Sequence, residues 1–282
     1  MKLVSIAVKG RRTYGIRTDR GVVDLGRRFG SRLPDLKALL AAGALAQAQE
    51  FLDATPDYAE PELSFLPPVD QPAKIFCVGM NYAEKRAEFG ETGSAPTLFI
   101  RFPDSQTGHG CPVLKPAASD EFDYEGELAV VIGTAGRRIP RDRALDHVAG
   151  YSCYMDGSVR DWQHGWYTAG KNWQQTGAFG PWIVTADEVP DPHALAIRTY
   201  LNGRTVQDDN TGNMIHRIPA LIEYISTFSA LSPGDVIITG SPGGVGKKRT
   251  PPLFLKEGDV VEVEIERIGR LSNRVVRDAI AA

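Results

Sequence analysis

The chain has 282 residues, with 32 Lys and Arg against 35 Asp and Glu, a formal net charge of −3. That balance excludes a strongly basic nucleic-acid binder. Its 42% apolar and 24% charged residues are ordinary for a globular protein long enough for about two domains, and no apolar run approaches the roughly 18 residues of a membrane span. The first eight residues lack an adequate apolar stretch before Lys9, Arg11 and Arg12, so no secretory leader is expected. Cys77, Cys111 and Cys153 form no CxxC pair and no zinc spacing with histidine. They read as reduced thiols of a cytoplasmic protein.

Leu3–Val8 and Thr13–Val23 read as short strands. The Ala- and Leu-rich stretch 33–52 reads as one or two helices, with Gly43 as an interruption. Residues 1–70 are therefore expected to form a small α+β domain. Pro56, Pro61, Pro67, Pro68 and Pro72 remove amide donors and fix φ, so 56–73 reads as a linker. Residues 71–282 would be the second domain. In it, Lys74–Val78 reads as a strand ending at Gly79, and Asn81–Phe89 as a short helix. Leu128–Ile132, Ala149–Met155, Trp182–Thr185 and Ala196–Leu201 read as strands, with Phe179-Gly-Pro-Trp182 as a rigid turn. Asn202-Gly203 is a strong hairpin signal. Ile218, Leu221, Ile222, Ile225 and Phe228 recur at helical spacing beside Pro219, a stripe expected to face a core. Ser232–Asp235 turns into the strand Val236–Thr239, and Val260–Ile265 alternates as a half-exposed strand does. Strands do not alternate regularly with helices, which argues against a TIM barrel or a Rossmann domain. The fold class is mainly β with some α.

The densest acidic segment is Glu121-Phe-Asp123-Tyr-Glu125-Gly-Glu127. On a strand over 125–132, Glu125, Glu127 and Ala129 share one face, and Leu128, Val130 and Ile132 the other. Two such carboxylates repel unless a cation joins them or one holds a proton, and a hard divalent ion is the economical answer. Alone, the segment also fits a solvated strand start. Asp156 adds a third carboxylate at the end of the apolar run Tyr151–Met155. An all-oxygen set with open positions suits Mg²⁺ or Mn²⁺ rather than Zn²⁺.

Arg160, Gln163 and Lys171 follow closely. Cations beside a metal can hold a substrate carboxylate, although singly they also fit surface charge. Trp162, Trp166 and Trp173 either wall a pocket or pack a core. The glycine-rich stretch Thr239–Lys248 is not a phosphate loop: Gly240 and Gly246 stand six apart where five are needed, and Lys248 replaces the Ser or Thr. It reads as a tight turn lining a site, with Ser241 as a hydrogen-bond donor. His109, His147, His164, His193 and His216 include no i, i+4 pair, and no GxSxG elbow is present.

In order along the chain, Ile75–Tyr82, Asp123–Ile132, Gly150–Gln163, Gly170-Lys171, Gly180–Trp182, Leu231–Gly246 and Leu255–Asp259 resemble the fumarylacetoacetate hydrolase family. The likeness covers about residues 74–275, behind a variable N-terminal domain found in many bacterial members. It implies a mixed β-roll catalytic domain in a homodimer. It implies Mg²⁺ or Mn²⁺ held at Glu125, Glu127 and Asp156, and a small 2-oxo-acid or 1,3-dicarbonyl substrate. Arg160, Gln163 and Lys171 fall on substrate-binding positions; Ser241 replaces a usual threonine and keeps its hydroxyl. Tyr82 joins the implied substrate-binding set. The default activity is hydrolysis of a C–C bond in an acylpyruvate-like catabolite, as in aromatic-compound breakdown. Oxo-acid decarboxylation, dienoate isomerisation and a metal-dependent carboxylate-binding pseudoenzyme are the alternatives.

One departure bears on that choice. Family hydrolases often carry a water-activating histidine after Asn-Tyr, with a glutamate three residues on. Here the positions are Lys85 and Glu88. An ordinary lysine is protonated at pH 7 and does not readily take a proton from water. Glu88 is then the candidate base, with His109 as another, and Lys171 is the second candidate catalytic group. Reactions that need no activated water gain weight.

Overall fold

The computed structural model describes residues 1–278. The observed protein is mainly β with some α, built on two mixed sheets. The larger has eleven strands. Its main path runs Gly21–Asp24, Arg11–Thr18, Lys2–Val8, Gly177–Thr185, Val148–Met155, Gly126–Ile132, Val236–Ile238, Ile75–Gly79 and Thr97–Ile100. The second has five strands, in the order Arg204–Asn210, Ala196–Leu201, Val260–Ile265, Gly269–Arg277 and Val113–Lys115. No described helix is long and apolar enough to cross a membrane.

The strand Gly126–Ile132 lies deep in the larger sheet, and all seven residues are buried. Its alternation serves two cores. Leu128, Val130 and Ile132 face a core shared with Ile197, Val261, Val263 and Leu271 of the five-stranded sheet. Ala129 and Val131 face the other way, onto Leu25, Leu36, Leu39 and Leu40. Those leucines belong to the helices Leu25–Phe29 and Leu36–Ala41, which cover the outer face. Gly43 has φ +61 and separates Leu36–Ala41 from Leu45–Gln49, as its place in the sequence suggested.

Across the expected boundary near residue 70, Lys2 and Leu3 pair with Val184 and Ile183 in the same sheet. The proline-rich 56–73 stretch is packed rather than a free connector. Ser64–Phe65 pairs with Lys2–Val8, and Pro67, Pro68 and Val69 are buried. Phe179-Gly-Pro-Trp182 is not a turn either. It lies inside the strand Gly177–Thr185, where a register shift in the facing strand between Tyr151 and Cys153 accommodates it.

Asn202-Gly203 makes the expected hairpin, both residues having positive φ. In the helix Ile218–Phe228, Ile218, Leu221, Ile222 and Ile225 are buried. Phe228 is 57% exposed because the helix ends there, and its ring meets Phe76 edge-on.

Candidate active site

The antiparallel register between Gly126–Ile132 and Val148–Met155 builds the site. Gly126 faces Met155, so Glu125 and Asp156 lie side by side where the two strands end. The Asp156 N–H donates to the Glu125 carbonyl at 2.8 Å. Glu127, two residues into its strand, points to the same place. One carboxylate oxygen from each of Glu125, Glu127 and Asp156 lies within 4.8 Å of the others, and all three residues are buried. The solvated alternative is thereby removed.

Four buried cations surround them. Lys85 Nζ donates to Glu125 Oε2 at 2.7 Å and to Ser241 Oγ. Arg160 donates to Glu125 Oε1, and its Nε donates to Asp123 Oδ2 at 2.9 Å. Lys171 Nζ donates to Asp156 Oδ2 and to Ser158 Oγ at 2.6 Å. Arg101 donates to Asp156 Oδ1 and, at 2.9 Å, to Thr176 Oγ1. The formal inventory is even: four cations against Asp123, Glu125, Glu127 and Asp156.

Burial would raise the Glu125 carboxyl, but Arg160, Lys171 and Lys85 outweigh it and hold the group well below its usual range. Glu127 goes the other way. Burial, then the charges of Asp156 and Glu125, push it well up. Burial would lower Lys171, and Asp156 and Glu125 raise it instead. Arg160 is likewise raised by Glu125 and Asp123 against the effect of burial. A clustered all-oxygen set in which Glu127 resists ionisation fits a hard divalent cation, which would relieve that repulsion. Glu125, Glu127 and Asp156 are the residues that would hold it.

The glycine-rich stretch lines the site through backbone donors. Gly240 N–H donates to Glu127 Oε2 at 2.6 Å, and Gly246 N–H to Asp123 Oδ1 at 2.7 Å. Both glycines are sterically required. A Cβ on Gly246 would lie 1.9 Å from the Leu253 carbonyl oxygen, and Gly240 has φ +97 with Asn81 against it.

The other expected residues distribute unevenly. Ser241 Oγ lies 3.3 Å from Glu125 Oε2, inside the cluster. Gln163 lines an adjacent cavity of about 350 Å³ with Arg160, Phe89, Trp166, Tyr167 and Lys247. Its Nε2 is buried without a partner among the described residues. Tyr82 is fully buried at the start of the helix Ala83–Phe89, its phenol raised by burial. Glu88 accepts the Gly244 N–H at 2.8 Å, so one of its oxygens anchors the loop. His109 packs on Phe65 and accepts from Ser272 N–H at 3.1 Å. Trp162 and Trp173 meet edge-on at 4.9 Å, while Trp166 is 63% exposed.

Three residues escaped the sequence reading. Arg101 follows an exposed Ile100 and precedes Phe102-Pro103, which gave no sign of burial. Asp123 stood in the acidic segment but had no assigned partner. Asn81, fully buried, holds Thr239 and His216 backbone atoms at 2.7–3.0 Å and sets the start of the helix carrying Lys85.

Residues 74–276 match a family model described as fumarylacetoacetate (FAA) hydrolase, C-terminal. A mitochondrial oxaloacetate tautomerase of Xenopus laevis is 42% identical over 245 residues, which span 84% of this chain and 76% of the relative. Fumarylacetoacetate hydrolase from Exiguobacterium antarcticum superimposes with a TM-score of 0.86 at 34% identity, over 99% of this chain and 100% of its own. Maleylpyruvate hydrolase from Sphingobium sp. SYK-6, solved with manganese(II) and pyruvate, has a TM-score of 0.83 at 28% identity, over 98% of this chain and 99% of its own.

Proposed function

The chain belongs to the fumarylacetoacetate hydrolase family, and from that premise we propose that it interconverts the keto and enol forms of a 2-oxo acid such as oxaloacetate. The observation that carries this reading is Lys85. The helix that in family hydrolases would bring a water-activating histidine here brings a buried amine, bonded to Glu125 and Ser241. Keto–enol exchange moves a proton between a carbon and an oxygen and consumes no water. The tautomerase name of the Xenopus relative supports the same choice.

Glu125, Glu127 and Asp156 would hold Mg²⁺ or Mn²⁺. Such an ion, when bound, polarises the oxo group and acidifies the neighbouring C–H. Lys171 and Arg160 bind the substrate oxyanions, and Gln163 and Ser241 orient it. Tyr82, also expected to bind substrate, is instead packed in the core at the start of the helix that carries Lys85. Lys85 Nζ gives a proton to the carbon beside the oxo group, and the enol hydroxyl proton returns to the amine; the reverse direction exchanges these roles. The family resemblance supports a homodimer. The cytoplasmic expectation rests on the three unpaired cysteines, while the Xenopus relative is named as mitochondrial.

C–C hydrolysis is the second reading, and Glu88 favours it. Its Oε2 is buried without a partner among the described residues and is available to accept a proton from water. The test is a Mg²⁺/EDTA-controlled assay of enol absorbance with oxaloacetate and with acylpyruvates. Lys85→Met should lose tautomerisation, and Lys85→His should gain acylpyruvate cleavage. Rapid acylpyruvate cleavage by the wild type with no effect on oxaloacetate enol would reverse the order of the two readings.

A further inference from the structure

We propose that Lys247 is the specificity residue that selects 2-oxo acids bearing a second, distal carboxylate, and that Glu121 occupies it until such a substrate arrives. This rests on the 2-oxo-acid reading above. The cavity beside the metal cluster is lined by both Arg160 and Lys247, with Phe89 and Trp166 as aromatic walls. Arg160 and Lys247 are held to one atom: Asp123 Oδ2 accepts from Arg160 Nε at 2.9 Å and from the Lys247 backbone N–H at 3.1 Å. The loop carrying Lys247 is therefore fixed relative to the group that binds the proximal end of the substrate.

The Lys247 ammonium is paired with Glu121 at 3.1 Å, and the two side chains are 41% and 38% exposed. A pair this wet is weak and readily exchanged. Glu121 is itself anchored, since its carbonyl accepts the Arg160 N–H at 2.9 Å. A carboxylate standing beside a cation at the rim marks where a substrate carboxylate can replace it. Lys248 lies over the Phe89 ring at 4.3 Å and keeps that wall in place. Inside, the unpartnered Gln163 Nε2 supplies a further donor.

The test is calorimetric binding to the Mn²⁺-loaded protein at fixed ionic strength. Pyruvate and 2-oxobutyrate lack the distal carboxylate; 2-oxoglutarate and 2-oxoadipate carry it. Lys247→Gln should weaken the dicarboxylates about tenfold, the value of one charge-assisted hydrogen bond, and leave the monocarboxylates unchanged. Lys247→Arg should restore most of the difference. Glu121→Gln should tighten the dicarboxylates severalfold, the opposite sign. Equal effects on both classes, or no effect of either variant, would overturn this inference alone. Absence of Mn²⁺-dependent binding by every 2-oxo acid would overturn the parent reading and this one with it.

Discussion

Asp156→Asn keeps the shape of the side chain and removes its charge. In the protein, Asp156 lies between Arg101 and Lys171, and none of the three side chains is more than 3% exposed. Breaking a buried ion pair by neutralising one partner costs about 3–5 kcal/mol, because the remaining cation is left without compensation. At roughly 2–4 °C per kcal/mol for a chain of this size, Tm in EDTA should fall by about 6–20 °C. Arg101→Met should cost a similar amount, since it strands Asp156 against Lys171 alone. The double variant removes both charges and should be less unstable than the two losses added, by about 0.5–3 kcal/mol of coupling. Mn²⁺ gives an independent readout. Saturating ion at about 100 times Kd stabilises a folded protein by about 2.7 kcal/mol, and Asp156→Asn should lose most of that. Thermal melts of the four proteins, in EDTA and in Mn²⁺, contain the whole test. An Asp156→Asn protein with wild-type Tm and an undiminished Mn²⁺ shift would refute the ligand assignment, and strictly additive losses would refute the pairing with Arg101.

Glu127 is raised by burial and by the charges of Asp156 and Glu125, so the folded metal-free protein favours its protonated form. Its contribution to stability in EDTA is present at low pH and lost as pH rises from the unfolded value through the folded one. Mn²⁺ must displace that proton. Affinity should therefore rise by up to about tenfold per pH unit in the same window, and calorimetry in buffers of different ionisation enthalpy would detect the proton; a pH-independent affinity would contradict the argument. Glu125 has the opposite sign: held low by Arg160, Lys171 and Lys85 against burial, it stabilises the fold above its unfolded value, and this is lost as acid approaches the folded one. Acid titration of Glu125→Gln beside wild type should show a shallower loss. Glu88→Gln should lower tautomerisation less than about tenfold, because Glu88 anchors Gly244; a loss of about 10²-fold or more would mark it as a general base. Leu221→Ala, at a fully buried position of the Ile218–Phe228 helix, should cost about 2–5 kcal/mol in denaturant melts without changing Mn²⁺ affinity.

Much of this protein was legible locally. A short apolar run located the core of Gly126–Ile132, period-two alternation located Val260–Ile265, and period 3.6 located the buried stripe of Ile218–Phe228. Asn202-Gly203 announced a hairpin by backbone conformation alone. Glu125, Glu127 and Asp156 could be grouped because a charge at the mouth of an apolar strand needs a partner. These signals share one property: each lies within a few residues of what it determines. The remainder depends on pairings across long stretches of chain. Strand register, not composition, set Glu125 against Asp156. The pairing of Lys2 with Val184 joined the first strands to the larger sheet, which proline content could not reveal. Arg101 reached Asp156, and Lys85 reached Glu125, only because the strands and helix that carry them converge there. A lone Lys or Arg reads as surface until the fold shows which carboxylate compensates its burial, and that compensation is a tertiary property.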